Sequence, residues 1–191
     1  MDELQPHTHD VRQPGEGVRW SDPFDHLAVG QRFRGAERTV RETDVNVFAA
    51  LTGDNHPQHT DPEWSQASPF GARIAHGLLI LSLAVGLLPL DPERVRALRR
   101  VQDVIFKRPV RLGETISLEG QITALRPVDE RSGLAEFSWE IRNEHRALVC
   151  RAKVQLLWST QHPTKGQAEP RFWHEDMLGE TATDDFTPLP L

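Results

Sequence analysis

One cysteine, Cys150, is all that this chain of 191 residues contains. An intrachain disulfide is excluded, and the core alone has to hold the fold; a chain of this length can bury roughly 70% of the surface its unfolded form exposes. The opening stretch MDELQPHTHDVRQPGEG has neither the positive cluster nor the apolar core of a signal peptide. With the cysteine usage, this predicts a cytoplasmic protein. The longest apolar run, residues 77–90, is interrupted by Ser82 and Pro89 and falls short of the ~20 residues of a membrane span. It predicts a buried helix and no membrane partner. Net charge is −6 and no stretch interleaves basic residues with aromatics, which argues against a nucleic-acid partner. The only basic cluster is RVRALRR at 94–100. It reads either as the solvated end of a helix or loop, or as a site for an anionic ligand such as a nucleotide phosphate.

What is present divides the chain into one domain over 20–159, a disordered tail at 1–19 and a mostly disordered acidic tail at 160–191. In the second tail, Phe172 and Trp173 are the residues able to pin part of it to the surface. A lead-in strand or hairpin is expected around Arg32-Phe33 and Arg38-Thr39-Val40, followed by a short helix with Thr43 at its start and Gly53 as its stop. Pro57 predicts a loop over 54–61, because proline lacks the N–H that a helix interior needs. One helical turn is expected at 63–68, then a helix over 74–88 without a polar face, which must be wrapped by something large. Strands are expected at 101–110, 115–125 (Ile116, Leu118, Ile122 and Ala124 inward), 134–142 (Ala135, Phe137, Trp139, Ile141) and 148–158 (Cys150, Ala152, Val154, Leu156). The last three form an antiparallel meander with one buried face. The architecture is therefore α+β, a sheet curled around one central helix.

The organising stretch is 51–86, a polar loop dense in ionisable groups followed by the apolar helix. Asp54, His56, His59 and Asp61 admit three readings. A metal site is one, but His-x-x-His around a proline matches neither the helical zinc signature nor a cysteine-bearing site. A carboxylate and an imidazole five residues apart, converging on one water, is the second; it suits adding or removing water across a double bond. A polar turn with surface histidines and helix caps is the third. The N-terminus of the next helix presents free N–H groups, and Gly77 lets a carbonyl approach them, as at an oxyanion site.

These residues carry a resemblance. FAALTGDNHPQHTD at 48–61, Phe70-Gly71, IAHGLLILSL at 74–83 and the segment FDHLAVG at 24–30 together resemble the MaoC-like (R)-specific enoyl-CoA hydratases of the hotdog-fold superfamily. The resemblance implies a hotdog fold, an antiparallel sheet wrapped around a long central helix, assembled as a homodimer or higher homo-oligomer. It implies an Asp54/His59 catalytic pair, with Asp54 as base and His59 as proton donor or co-binder of the water, and the Gly77 N–H polarising a thioester carbonyl. His76 fits the family pattern as a structural hydrogen-bonder at the helix start. Where the family usually has asparagine this chain has His56, a departure that bears on substrate range. The activity implied is hydration of a trans-2-enoyl thioester, carried by CoA or an acyl carrier protein, or the reverse dehydration, with no cofactor and no metal. Hydrolysis of an acyl-CoA and non-catalytic acyl-CoA binding are the alternatives.

Overall fold

A computed structural model describes residues 17–160. The expected tails, apart from 17–19 and 160, lie outside the described residues. Five strands form one antiparallel sheet in the order β1-β3-β4-β5-β2: β1 is Arg32–Thr39, β2 Val95–Phe106, β3 Thr115–Asp129, β4 Ser132–Asn143 and β5 Leu148–Ser159. The meander β3-β4-β5 follows from an alternating set of apolar residues. Ile116, Leu118 and Ile122, then Ala135, Phe137, Trp139 and Ile141, then Cys150, Ala152, Val154 and Leu156 all point into the core. Ala124 does not. The β3/β4 register shifts between Ile122 and Ala124, so the alternation slips by one, Ala124 is exposed and Leu125 packs inward instead.

Among the described residues the lead-in segment forms no hairpin; β1, one edge of the sheet, pairs along its length with β3, and its first residue, Arg32, also bridges Gly17 in parallel. Ahead of it a 3-10 turn, Phe24–His26, and Trp20 close the end of the core. Trp20 stacks on Phe137 and Trp158 at 5.8 and 5.5 Å and meets Phe33 edge-on at 5.6 Å. The Trp158 indole N–H donates to the Asp22 carbonyl at 2.8 Å, so the buried ring carries no orphaned donor.

The other edge, β2, starts within the arginine cluster and ends at Phe106, not over 101–110 as expected. The cluster is thus neither a helix end nor a loop. It lies on an edge strand, while Arg94, just before the strand, is buried with its Nε donating to the Ser21 carbonyl. Beyond Phe106 the N–H groups of Lys107 and Arg108 both turn to the Val149 carbonyl, and Pro109 ends the pairing.

Three helices lead to the central one: α1 (Glu42–Thr52), α2 (Pro57–Thr60) and α3 (Pro62–Gln66). α1 starts from Arg41 rather than beside Thr43, with the Asp44 carboxylate accepting from the Arg41 N–H, the half of a capping box that an arginine N-cap allows. Proline does not keep 54–61 out of helix, since Pro57 occupies the first helical position, where the missing N–H costs nothing. α4, Gly77–Val85, has nine residues, shorter than the expected 74–88. Tertiary hydrogen bonds hold the preceding backbone extended: Ile74 N–H goes to Gln58 O and Ala75 N–H to Val110 O. Nor is the helix wrapped all round. Leu79, Ile80 and Ala84 enter the core, whereas Leu78 is 62% exposed. Among the described residues no helix is long and apolar enough to cross a membrane.

Candidate active site

α1 ends at Gly53, whose φ of 77° takes the left-handed cap and whose N–H returns to the Ala49 carbonyl at 2.8 Å. The chain is thereby turned outward at Asp54, whose side chain is 52% exposed. His56 is the N-cap of α2; its Nδ1 accepts the Gln58 N–H at 3.2 Å and its ring stands edge-on to Trp64. Asparagine is among the preferred N-cap residues, so His56 here performs what an asparagine at that position can do. Asp61 is likewise a cap, accepting from the N–H groups of Glu63 and Trp64 at the start of α3.

α2 presents His59 on its last turn. Its Nδ1 lies 2.7 Å from the Ile74 carbonyl oxygen. A carbonyl can only accept, so Nδ1 carries the proton and, in the neutral ring, Nε2 keeps its lone pair. Burial lowers the His59 pKa below the ordinary 6.5; the Ile74 bond and the Asp54 charge oppose this, and neighbouring His76 and His56 reinforce it. The imidazole is neutral near pH 7.

His76, 2% exposed, sits directly before α4. Its ring lies between Phe48 and His59, 3.9 Å from the His59 ring centroid, and its Nε2 donates to the Asp54 backbone carbonyl at 2.9 Å. His76 therefore ties the Asp54 loop to the helix start. Asp54, His59 and His76 each bring one potential ligand atom within 4.8 Å of the other two. Such a trio has the size to hold a cation. Yet one nitrogen of each imidazole is engaged with a backbone carbonyl, and the other nitrogen of His76 is enclosed without a partner.

Beside this cluster is a cavity of about 360 Å³ lined by His59, Ile74, Gly77, Ile80, Phe106 and Val149, among others. Of the residues singled out in the sequence, His59 and Gly77 reach it, while Asp54, His56 and His76 are not among its lining residues. Asp54 approaches that wall through its closeness to His59. At the start of α4 the first intrahelical bond runs from Ile80 N–H to His76 O. Gly77, Leu78 and Leu79 thus have no acceptor within the helix. Sequence reasoning missed Phe106. A Cβ added to Gly77 would come within 2.9 Å of its ring, so packing alone favours glycine there. The only signal was an aromatic residue three positions before a proline, Pro109. Cys150 is buried and burial pushes its thiol pKa up, which leaves no activated thiol.

Comparison with known proteins identifies the family. Residues 26–138 match the MaoC like domain family. The chain is 37% identical over 100 residues to a protein named (R)-specific enoyl-CoA hydratase from Aeromonas caviae, covering 52% of this chain and 74% of that one. It is 49% identical over 117 residues to a 3-hydroxyacyl-thioester dehydratase Z from Mycobacterium tuberculosis, covering 57% and 75%. A further Mycobacterium tuberculosis protein, described as having a double hotdog fold, superposes with a TM-score of 0.65 at 23% identity, over 86% of this chain and 52% of that one; it supports the fold alone. With its α+β hotdog architecture, the chain belongs to the MaoC-like domain family.

Proposed function

We propose that this chain catalyses the reversible addition of water to a trans-2-enoyl-CoA, giving an (R)-3-hydroxyacyl-CoA. The observation that carries the reading is the neutral His59 on the wall of a cavity that also contains Gly77 at the open N-terminus of α4, with Asp54 beside it. The names of the Aeromonas and Mycobacterium relatives, a hydratase and a dehydratase of acyl thioesters, support the same chemistry.

In the hydration direction a water held between the Asp54 carboxylate and His59 attacks C3. Its proton passes to the pair as the C2=C3 π electrons move to C2 and the thioester oxygen. The Gly77 N–H, at the positive end of the helix dipole, stabilises the resulting enolate charge. The pair then returns a proton to C2 and is restored. With Nδ1 committed to Ile74, neutral His59 meets the water through the Nε2 lone pair, which suits the co-binder role. His76 positions Asp54 through its backbone, and His56 caps α2. With His76 Nε2 given to the Asp54 carbonyl and its Nδ1 enclosed, His59 Nε2 and the Asp54 carboxylate are left as the ligands of that trio, which favours a site without a metal. A homodimer or larger assembly fits the exposed Leu78 on α4 and Leu98, Val101 and Phe106 on edge strand β2. The single buried cysteine suits a cytoplasmic location, and the working unit is the domain over 20–159.

The test is incubation of purified protein with crotonyl-CoA: loss of the conjugated-thioester absorbance supports hydration, and release of free thiol instead would support hydrolysis. The pH profile gives a second check. Protonation of His59 fills the lone pair that binds water, so kcat/KM should fall as pH drops through its lowered pKa, with the acid midpoint below 6.5. A midpoint above 6.5 would count against this role. Gly77→Ala keeps the N–H but forces the Phe106 ring aside. We expect kcat/KM to fall by about 10- to 100-fold, with partial recovery when Phe106→Ala is added.

A further inference from the structure

The arginine cluster at 94–100 drew attention in the sequence, but the fold brings a different set of cations to the cavity. Lys107 and Arg108 line it directly, both exposed. Arg111 stands at its rim, its Nη2 donating to the carbonyl of Phe70, itself a lining residue. Arg108 is steadied in the same way, its Nη1 donating to the Leu148 carbonyl at 2.9 Å. Backbone carbonyls fix these guanidinium groups and leave their remaining donors available. Pro109 and the bonds of Lys107 N–H and Arg108 N–H to Val149 O hold the segment in place.

Several other cations of this acidic chain meet carboxylates: Arg34 with Glu37, Arg38 with Asp44, Arg73 with Glu42, Arg142 with Glu119 and Lys153 with Asp103. Among the described residues no carboxylate pairs with Lys107, Arg108 or Arg111. In the edge cluster Arg94 donates to the Ser21 carbonyl, Arg99 to Gln155 and Arg100 to Gln102. Three cations without acid partners at one cavity, in a chain of net charge −6, form a locally positive rim that an anion can complete.

We propose that Lys107, Arg108 and Arg111 form a binding site for the phosphate end of the pantetheine arm, outside the reacting centre. The proposal rests on the thioester reading above, since a thioester carbonyl at Gly77 would direct its pantetheine arm out past Phe106 and this rim. The shared chemistry is a phosphate ester. Coenzyme A brings a diphosphate and a ribose phosphate, and an acyl carrier protein brings one phosphate.

The test compares crotonyl-CoA, crotonyl-4′-phosphopantetheine and crotonyl-pantetheine with the wild type and with a Lys107→Glu/Arg108→Glu double variant. The wild type should show a KM roughly tenfold or more lower for the phosphate-bearing thioesters than for crotonyl-pantetheine, and the preference should weaken with added salt. In the double variant that ratio should collapse toward one. The preference appearing with phosphopantetheine assigns the site to the single phosphate common to both carriers; its appearing only with CoA assigns it to the nucleotide. Equal wild-type KM values for all three thioesters, or a variant that loses the three to the same degree, would overturn the site. Calorimetric titration with free coenzyme A separates this from the hydratase reading. Tight binding by the wild type, weakened in the variant, supports the site even if none of the thioesters turns over, whereas equal binding by both proteins contradicts it.

Discussion

Asp54→Asn is expected to lower kcat for crotonyl-CoA hydration by about 10²- to 10⁴-fold, the usual contribution of a positioned acid or base. The substitution is close to isosteric, and the contact that fixes this residue uses its backbone. His76 Nε2 donates to the Asp54 main-chain carbonyl, which asparagine retains, and the side chain is half exposed. The loop and His59 should therefore stay in place. What is lost is the charge that draws a proton from water and supports the imidazole. Because that interaction strengthens only as the water is deprotonated, kcat should fall far more than KM rises. Initial rates across substrate concentrations measure this, and an unchanged melting temperature would show that the fold is intact.

Phe137→Ala is expected to destabilise the domain by about 3–5 kcal/mol, the range for truncating a buried aromatic. Phe137 is fully buried at the centre of a ring cluster, 5.8 Å from Trp20, 5.7 Å from Phe33 and 6.3 Å from Trp158. Those rings come from the lead-in segment, β1 and β5, so the cavity would lie where three parts of the chain are joined. Large rings held by their own contacts, and in Trp158 by a hydrogen bond to Asp22, cannot collapse into the space. Urea unfolding should show a lower midpoint with little change in slope. Leu51→Ala, at a side chain 81% exposed, should stay within about 0.5 kcal/mol of the parent.

The meander was legible because a half-buried strand writes its geometry into alternate residues; Phe137, Trp139 and Ile141 fall inward as their spacing demands. Gly53 was legible for a similar local reason, since a helix stop needs a residue tolerant of positive φ. Features fixed by partners distant in sequence were not. Nothing near Ala124 announces the register shift that turns it outward. α4 starts at Gly77 because Gln58 and Val110 claim the backbone N–H groups of Ile74 and Ala75, and hydropathy records neither. At the site, the residue types and spacing of Asp54 and His59 suggested an acid–base pair. The tautomer of His59 depends on the Ile74 carbonyl, fifteen positions on, and the fit of Gly77 depends on Phe106 at the end of a strand. The cations at 107, 108 and 111 were hidden because Pro109 and Val110 break the run; the denser arginine cluster lies at the other end of the same strand, β2, where Arg94, Arg99 and Arg100 hold other contacts.

The stereochemical outcome of crotonyl-CoA hydration by the wild-type chain tests the central claim most directly. Product resolved by chiral chromatography should be (R)-3-hydroxybutyryl-CoA, formed without release of free thiol. Recovery of unchanged crotonyl-CoA, or of crotonate and free coenzyme A, would contradict the assignment of Asp54 and His59 as a water-adding pair.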